Sequence, residues 1–250
     1  MKKALYTTLI ALLLSTPVYS APLIDFTVTA SQWQTEYSGR VGQGADTASL
    51  DDLGFEDENF NVVRAVLRHP IPVIPNLLVQ RTDLDTEANG TLTGTFVFDG
   101  VTYIATEQVS TTLDLSHTDA TLFYSPLSNW VTFDIGLTGR HFNGEASVTG
   151  STAGSSSIDL DDWIPLVYFN ARFELPLTGL YIGGTINTIS HDDNTLKDFS
   201  AALGYVVDGA VVDLVAELGY RAFTLDVDDI NDFEGNIDID GLYFTLGLKF

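Results

Sequence analysis

The chain has 250 residues, 11 basic against 34 acidic side chains, a formal net charge of −23 and no cysteine. Such an acidic balance excludes a nucleic-acid-binding surface, which needs clustered Lys and Arg to neutralise phosphates. Apolar residues at 45% and aromatic residues at 11% exclude a disordered chain. Without cysteine, the fold must also be stable without disulfide bonds.

Residues 1–20 have the layout of a secretory signal peptide. Lys2 and Lys3 give a basic start, residues 4–14 form an uncharged apolar run, and Val18 and Ser20 suit a cleavage site. A membrane anchor would need about 20 apolar residues, so it is the weaker interpretation. We expect a single domain over residues 21–250, with nine basic and 34 acidic side chains and a net charge of −25.

Apolar and polar residues alternate along most of this domain, a pattern typical of β-strands with two different faces. The alternation is interrupted by three consecutive apolar residues in 76–85, and it changes phase near Ser116 in 109–124. We nevertheless predict a strand in both segments. The ten predicted strands are 24–31, 63–68, 76–85, 109–124, 131–138, 167–174, 180–187, 198–205, 213–221 and 242–250.

Short and long connections alternate between these strands. The short connections, rich in proline and glycine, are 70–75, 126–129, 176–179 and 207–210; the long polar ones are 38–59, 87–108, 145–162, 190–195 and 226–237. Short turns at one end and long loops at the other are typical of bacterial outer-membrane barrels. The sequence therefore predicts an all-β fold, a transmembrane antiparallel up-and-down β-barrel of about ten strands, with roughly eight to twelve as the range.

Charged residues are predicted to face the lumen, because an arginine in lipid costs about 2–4 kcal/mol at the midplane. A ten-stranded barrel has little internal space, which favours a lumen plugged by paired side chains over a narrow cation-preferring channel. Arg40 falls in the first long loop and Lys197 at the outer rim. The predicted lumen set is Arg64, Arg68, Arg81, Arg140, Arg172, Arg221 and Lys249, with Asp25, Asp83, Asp134, Glu174, Asp198, Asp213 and Glu217.

Aromatic residues are predicted to form two interfacial girdles, as membrane barrels require. A soluble sandwich or lipocalin would instead carry polar residues on the outer face. The girdle near the short turns would contain Phe123, Tyr124, Trp130, Tyr205 and Phe250, and the one near the long loops Trp33, Tyr37 and Trp163.

The histidines offer weak evidence for catalysis. His117 and Asp119 share one strand face, but the adjacent Ser116 points to the other face, so a catalytic triad is not supported and His117 is predicted to be structural. His69 lies in a short turn. By analogy with ten-stranded outer-membrane proteases (omptins), His141, His191, Asp192 and Asp193 are candidates for an outer-mouth site. We predict no catalytic, cofactor-binding or metal-binding residue.

Acidic residues recur before and within the last strand without the spacing of an EF-hand. Simple solvation is the expected outcome, and weak Ca²⁺ or Mg²⁺ binding that bridges lipopolysaccharide phosphates is the alternative. The segment contains Asp226, Asp228, Asp229, Asp232, Glu234, Asp238 and Asp240.

The chain ends on alternating apolar residues and a terminal Phe250. Leu242, Phe244, Leu246 and Leu248 are predicted to face lipid with Phe250, while Asp238 and Asp240, on the same parity, would lie beyond the membrane. The last strand should pair with 24–31 to close the barrel. The ending also resembles the signal read by the outer-membrane barrel assembly machinery.

Several segments resemble an uncharacterised outer-membrane β-barrel family of Gram-negative bacteria. The most specific is the turn Arg68-His-Pro-Ile-Pro-Val-Ile-Pro-Asn76. The resemblance implies the barrel fold and an outer-membrane location after export, and it implies no activity and no catalytic residue. The other segments are 113–119, 123–124, 128–131, 133–136, 226–230 and 238–250.

Together these patterns predict an integral outer-membrane protein with a structural or membrane-integrity role and a largely plugged lumen. The alternatives are a narrow cation-preferring channel and, less favoured, a surface-exposed protease or lipid-modifying enzyme. The expected partners are outer-membrane lipid and lipopolysaccharide, the barrel assembly machinery acting on the strand that ends in Phe250, and divalent cations at the outer loops. No cofactor is expected.

Overall fold

The computed structural model describes residues 24–230 and 233–250. The predicted signal peptide at residues 1–20 and its cleavage site lie outside the described residues. Within the described ranges, no helix is long and apolar enough to cross a membrane.

The described residues form seventeen β-strands. The alternation of apolar and polar residues seen in the sequence accounts for most of them, because it gives each strand one face suited to each environment. They are β1 Asp25–Gln43, β2 Asp46–Ser49, β3 Glu58–Arg68, β4 Asn76–Thr82, β5 Asp85–Thr91, β6 Phe96–Phe98, β7 Val101–Tyr103, β8 Gln108–Asp114, β9 His117–Ser128, β10 Val131–Phe142, β11 Gly144–Gly150, β12 Gly154–Leu160, β13 Trp163–Glu174, β14 Leu180–His191, β15 Asn194–Val207, β16 Asp213–Ile230 and β17 Phe233–Lys249.

Ten of these strands close into an antiparallel barrel, which confirms the predicted fold class. Their order around the barrel is β1, β3, β4, β9, β10, β13, β14, β15, β16 and β17, and β17 pairs back with β1. The closing register runs from Thr27 opposite Lys249 to Gly42 opposite Glu234. Closure leaves no unpaired sheet edge around the barrel wall, which is the condition for a β-structure to cross lipid.

The last residue takes part in this closure. Phe250 donates its backbone N–H to the carbonyl of Phe26 at 2.9 Å and accepts the N–H of Phe26 at 3.3 Å. The two rings lie with their centroids 6.2 Å apart. The carboxyl terminus is therefore held in the wall, as the alternating pattern predicts.

The outer face of the barrel is apolar and exposed, whereas a soluble β-protein buries such residues. Leu137, for example, is 67% exposed. An apolar outer band is what a membrane barrel presents to hydrocarbon, and it is too large for an ordinary soluble surface. Other exposed members are Leu122, Ile135, Ile182, Leu203, Leu218, Leu242, Phe244 and Leu246.

The predicted long polar loops are largely β-structure, and this prediction was wrong. β5, β8, β11 and β12 form a four-stranded sheet, and β6 and β7 form a hairpin. We call these six strands the cap, and the end of the barrel where it lies the loop end; the opposite end is the turn end. The connection between β14 and β15 is also shorter than predicted, at 192–193. β16 extends to Ile230 and β17 begins at Phe233, inside the predicted loop 226–237.

The cap shares one apolar core with the upper lumen of the barrel. Leu84, Leu92, Phe96 and Tyr103 of the cap region and its flanks belong to the same buried cluster as Trp33 of the barrel wall. Interiors packed in this way have few voids larger than a water molecule. Barrel residues in the cluster are Phe60, Phe142, Leu166, Leu196, Phe223, Ile237 and Ile239.

The phase change near Ser116 marks the point where the chain passes from the cap to the barrel. The predicted strand 109–124 is in fact two strands, β8 in the cap and β9 in the barrel. Between them, the Ser116 hydroxyl accepts the backbone N–H of Leu84 at 2.9 Å. The Ser116 N–H in turn donates to Asp114 at 2.8 Å. These bonds satisfy backbone groups at the break, which explains the serine there.

Two charged residues and three aromatic residues point the opposite way from the prediction. In β4 the residues Leu77 and Val79 are exposed on the outer face, so Arg81 lies outside the lumen, and Asp83 follows it. Arg81 binds Asp83 at 2.9 Å. The cause is the run of three apolar residues in this strand, which hid its parity. Trp33 and Phe123 are fully buried in the lumen, Tyr37 also faces inward, and none of the three belongs to a girdle.

Three of the four short turns lie close to their predicted positions, whereas β9 runs to Ser128 and leaves 129–130 as the turn before β10. The turn between β3 and β4 explains the histidine-proline motif. The ring of His69 accepts the backbone N–H of Ile71 at Nδ1, 3.2 Å away. Its Nε2 therefore carries the proton and donates to the carbonyl of Pro75 at 3.1 Å. The Asn76 side chain accepts the His69 backbone N–H at 3.0 Å. His69 thus fixes the turn between β3 and β4, a structural role.

Candidate functional site

Four charged side chains form a buried cluster in the lumen beneath the cap, which we call the ion cluster: Asp119, Arg140, Asp198 and Arg221. Arg140 donates to both oxygens of Asp119 at 2.7 Å and to Asp198 at 2.6 Å. Arg221 donates to both oxygens of Asp198, at 2.8 and 2.7 Å. The two bidentate pairs balance in charge and satisfy every carboxylate oxygen, which such burial requires.

Strand parity places these residues together. Asp119 lies on β9, Arg140 on β10, Asp198 on β15 and Arg221 on β16, each at an inward position. Because β10 pairs with β9 with Arg140 opposite Asp119, the first pair forms between adjacent strands. β15 and β16 lie on another part of the wall, so Arg140 reaches Asp198 across the lumen. The ion cluster therefore ties separate parts of the barrel wall together.

Aromatic rings enclose the ion cluster. Arg221 lies 4.6 Å from the ring centroid of Trp33, and Arg140 lies 5.8 Å from that of Phe223. His117 stacks on Phe223 with the ring centroids 6.1 Å apart. Its Nδ1 donates to the carbonyl of Leu115 at 2.8 Å, which holds the ring in place. Cations over aromatic faces gain attraction in such a desolvated environment.

The ligand types for a metal ion are present here, but their arrangement is that of an ion-pair cluster. Candidate ligand atoms of His117, Asp119 and Asp198 lie within 4.8 Å of one another. All four carboxylate oxygens already accept bonds from Arg140 or Arg221. A divalent cation would break these bonds and add positive charge beside two guanidinium groups, which is unfavourable.

The histidine candidates for catalysis do not form a catalytic arrangement among the described residues. Asp119 is held by Arg140, and the Ser116 hydroxyl faces the Leu84 backbone instead of His117. His141 binds Asp161 at 2.9 Å and stacks on Trp163 with ring centroids 4.8 Å apart.

His191 and Asp192 are exposed at the tight turn between β14 and β15. Asp192 adopts a left-handed φ of 52° there. Asp193, the second residue of the same turn, is also exposed. These three residues serve a solvated turn, so the proposed outer-mouth grouping gains no support from the geometry.

Below the ion cluster, the lumen contains a cavity of about 850 Å³ that begins at the turn end. Ile71 and Ile74 of the histidine-proline turn line its entrance, and both are half-exposed. Tyr168 and Tyr243 line its inner part. The sequence did not predict this cavity, since the scaling of barrel size with strand number suggested a lumen filled by side chains.

Glycines leave room for the cavity's tyrosines. Gly204 and Gly219 have no space for a Cβ, because the rings of Tyr181 and Tyr243 lie directly against them. Tyr181 then donates its hydroxyl to Glu217 at 2.6 Å, and the guanidinium of Arg172 lies 3.5 Å from its ring centroid. Pairs of glycine and aromatic residues across strands thus determine where the lumen is filled and where it stays open.

At the turn end of the cavity, Asp134 organises a second polar network. It accepts two bonds from Arg68, at 3.0 and 2.7 Å. The Ser125 hydroxyl donates to it at 2.6 Å and the Asn170 amide at 2.8 Å. The fully buried Asp134 is therefore well satisfied, and Arg68 is held at the cavity wall.

In the cap, Glu107 holds a connecting turn. One of its oxygens accepts the backbone N–H groups of Ala153 and Thr152, at 2.8 and 2.7 Å, and the Thr152 hydroxyl at 2.8 Å. The other accepts the N–H of Ile104 at 3.2 Å. These bonds, above all that from Ala153, lower the pKa of Glu107 from 4.5 to about 2.

This shift predicts acid-sensitive packing of the cap. Because the folded-state pKa is lowered, Glu107 stabilises the cap fully above pH 4.5, and that contribution is lost as the pH falls towards 2. We expect the protection of the Thr152 and Ala153 amides, the intrinsic exchange rate divided by the observed rate at the same pH, to fall over this range. In Glu107→Gln protein, the Thr152 and Ala153 amides should be less protected from exchange at pH 7, and their protection should lose most of its dependence on pH. Equal exchange in both proteins at pH 7 would contradict this role of Glu107.

The outward-facing acids of the last hairpin occupy the places that their parity indicates. Asp238 lies opposite Thr224 of β16 and accepts its hydroxyl at 2.7 Å. Asp240 lies opposite Ala222 and accepts the Tyr220 hydroxyl. Asp226 of β16 lies opposite Asn236, so neither Asp238 nor Asp240 directly faces it. The side chains of Asp228, Asp229, Asp232 and Glu234 lie outside the described part of the chain.

Comparison with known proteins gives remote structural similarity. The outer-membrane protease OmpT from Escherichia coli matches with a TM-score of 0.45 and 12% identity, covering 94% of this chain and 99% of that one. A FadL homologue from Pseudomonas aeruginosa matches with a TM-score of 0.36, 8% identity and coverage of 91% and 89%. The toluene transporter TodX from Pseudomonas putida matches with a TM-score of 0.32 and 9% identity, covering 96% of this chain and 93% of that one.

No family model matches the chain, and no curated protein matches it significantly. The predicted resemblance to an uncharacterised outer-membrane family therefore stays a prediction. At scores below 0.5, the structural matches carry no conclusion about activity, transport or substrate.

Proposed function

We propose that this chain is an integral outer-membrane β-barrel of a Gram-negative bacterium that does not conduct ions, and that its role is structural, supporting membrane integrity. The observation that carries the proposal is the closed loop end. There, Arg140 and Trp33 are fully buried beneath a cap whose apolar core is continuous with the lumen. A pore needs a hydrated path through the barrel, and this layer removes it.

The membrane location rests on the wall itself. The outer face carries large exposed apolar side chains, and Trp130 and Tyr205 are exposed near the turn end, where an interfacial girdle belongs. Trp163 is exposed towards the other end. We assign the turn end to the periplasm and the cap to the cell surface, following the usual topology of such barrels.

The proposed partners follow from this orientation. Lipid surrounds the apolar wall, and lipopolysaccharide contacts the loop end, where exposed acids leave room for divalent cations that bridge its phosphates. The strand ending in Phe250 is the proposed recognition element for the barrel assembly machinery. The alternative function, a narrow cation-preferring channel, would require the ion cluster and the cap to move apart.

Planar-bilayer recording separates the two functions. The refolded protein, shown to be inserted by its heat-modifiable migration on a gel, should give no stepwise current in potassium chloride at an applied voltage. A general porin reconstituted in the same way controls for the bilayer and the insertion procedure. Stepwise, cation-selective current from the wild-type protein would overturn the proposal in favour of the channel.

A further inference from the structure

Two charged residues of opposite sign line the turn-end cavity without an ionic partner in the part of the chain that the structure describes. Arg68 pairs with Asp134 at 2.7 Å, Lys249 with Asp25 at 3.0 Å and Arg172 with Glu174 at 3.2 Å. Among the described residues that line the cavity, Arg64 and Glu217 form no ion pair.

Arg64 keeps most of its donors free. Its Nε donates to the Gln80 side chain at 2.9 Å, and its two terminal nitrogens have no hydrogen-bond partner among the described residues. Arg64 is half-buried and faces the cavity. A guanidinium with two free terminal nitrogens presents the fork that binds a carboxylate in bidentate geometry.

Glu217 is the complementary group. It accepts the Tyr181 hydroxyl at 2.6 Å, and no cationic side chain of the described residues lies within ion-pair distance of it. The guanidinium of Arg172 lies over the ring of Tyr181, 3.5 Å from the ring centroid, and holds the ring in place. The carboxylate is therefore fixed in position while part of its hydrogen-bonding capacity stays available for a cationic group.

The strand register places Arg64 and Glu217 three strands apart around the barrel wall. Arg64 lies opposite Thr29 of β1, Thr29 opposite Gly247 of β17, and Gly247 opposite Val215 of β16, two residues before Glu217. Three strand spacings of about 4.8 Å separate β3 from β16 around the curved wall. Both residues line the same cavity, so a single ligand in it can contact both.

The remaining lining suits an apolar body. Val66, Leu78, Ile71 and Ile74 line the cavity together with Tyr168 and Tyr243. A volume of about 850 Å³ falls within the range of small-molecule pockets, which combine apolar walls with a few placed polar groups. The cavity begins at the turn end and the cap closes the other end, so a ligand would enter from the turn end.

We propose that the turn-end cavity binds a small zwitterion with an apolar side chain, of the α-amino acid class, with its carboxylate on Arg64 and its ammonium group on Glu217. This ligand matches both unpaired charges at once, which neither an organic anion nor an organic cation does. The binding site is distinct from the ion cluster, and the proposal does not depend on whether the barrel has a structural role.

Three ligands with the same aromatic body test the proposal by isothermal titration calorimetry on the protein in non-ionic detergent: L-phenylalanine, 3-phenylpropionate and 2-phenylethylamine. L-Phenylalanine should bind at least about tenfold more tightly than either of the others, since each lacks one charge-assisted contact. If 3-phenylpropionate binds as tightly as L-phenylalanine, the cavity is an anion site. If 2-phenylethylamine binds as tightly as L-phenylalanine, it is a cation site. If L-phenylalanine shows no saturable binding, the cavity is not a binding site for this class. Each of these results overturns the proposal.

Conservative variants assign the two contacts. Arg64→Gln should weaken L-phenylalanine binding about 10- to 100-fold, the range for loss of a charged hydrogen-bond partner, and Arg64→Lys should recover part of it. Glu217→Gln keeps an acceptor for the Tyr181 hydroxyl and should weaken L-phenylalanine and phenylethylamine but not phenylpropionate. Arg81→Gln, on the outer face, is the matched control. Unchanged affinity in folded, heat-modifiable Arg64→Gln or Glu217→Gln protein would overturn the assignment.

Discussion

Arg140→Met is expected to destabilise the barrel by about 3–5 kcal/mol, the usual cost of leaving a buried charge without its partner. The substitution removes both bonds to Asp119 and one to Asp198, while methionine keeps an unbranched apolar stem in place of the arginine stem. Asp119 would then be a buried carboxylate with no cation beside it. Urea unfolding in lipid vesicles, followed by tryptophan fluorescence, measures the effect.

A second substitution and a surface control separate the cost of an unpaired buried charge from the cost of lost packing. Asp119→Leu combined with Arg140→Met removes the stranded charge, and the Arg221–Asp198 pair stays balanced, so the double variant should recover more than half of the loss. Arg81→Met breaks an exposed pair with Asp83 and should cost no more than about 1 kcal/mol. An Arg140→Met protein as stable as Arg81→Met would show that the ion cluster does not stabilise the lumen.

Deletion of Phe250 is expected to cause the second large effect, a severe loss of assembled barrel. The residue supplies two backbone hydrogen bonds to Phe26 and a ring contact at the point where β17 meets β1. Without them the closing strands fray at the turn end, and an open sheet edge in lipid is strongly unfavourable. Heat-modifiable migration after expression in a Gram-negative host measures the assembled fraction.

Phe199→Ala provides the control for this deletion. Phe199 is another exposed aromatic residue of the outer wall, but it lies within β15 and far in sequence from the terminus. It should reduce stability modestly and leave assembly intact. Normal amounts of heat-modifiable barrel after deletion of Phe250 would contradict a role for the terminal residue in closure and in recognition by the assembly machinery.

The barrel wall was predictable because strand alternation is a local signal. Leu242 to Phe250 shows this best, since each apolar residue of the segment lies on the outer face, as the pattern requires. The signal fails where it is locally broken. The prediction that Arg81 faces the lumen is wrong because Leu77, Leu78 and Val79 hide the parity of β4.

The cap was missed because its strands are short and its segments look polar. A signal was nevertheless present in Leu92, Phe96, Phe98 and Tyr103, which are too apolar for a solvated loop and are in fact buried. The parity of Trp33, which it shares with Asp25 and Thr29 on β1, indicates an inward position. The residue type alone does not, because tryptophan serves a membrane girdle and a buried core equally well.

The parts of the candidate sites could be predicted, but not their grouping. The inward positions of Arg140, Asp119, Asp198 and Arg221 follow from parity, yet no local pattern states which strands face each other across a closed lumen. The same holds for Arg64 and Glu217. That neither residue has an ion-pair partner can be recognised only when the registers of β1, β3, β16 and β17 are combined, because these registers determine which side chains are neighbours in the lumen.

The central claim, a lipid-facing wall around a lumen, is tested most directly on three consecutive residues of β15. The chain has no cysteine, so single cysteines can be introduced at Ala201, Ala202 and Leu203 without removing native ones. Ala201 and Leu203 are exposed on the outer wall, whereas Ala202 lines the cavity. A small fluorophore on each cysteine, in vesicles, would be exposed to brominated lipid and to aqueous iodide.

We expect brominated lipid to quench the fluorophores at 201 and 203 and to leave that at 202 largely unaffected, while iodide shows weak quenching at 201 and 203. This alternation follows from a period of two between lipid and lumen. Equal quenching by iodide at all three positions, or lipid quenching strongest at 202, would contradict the account.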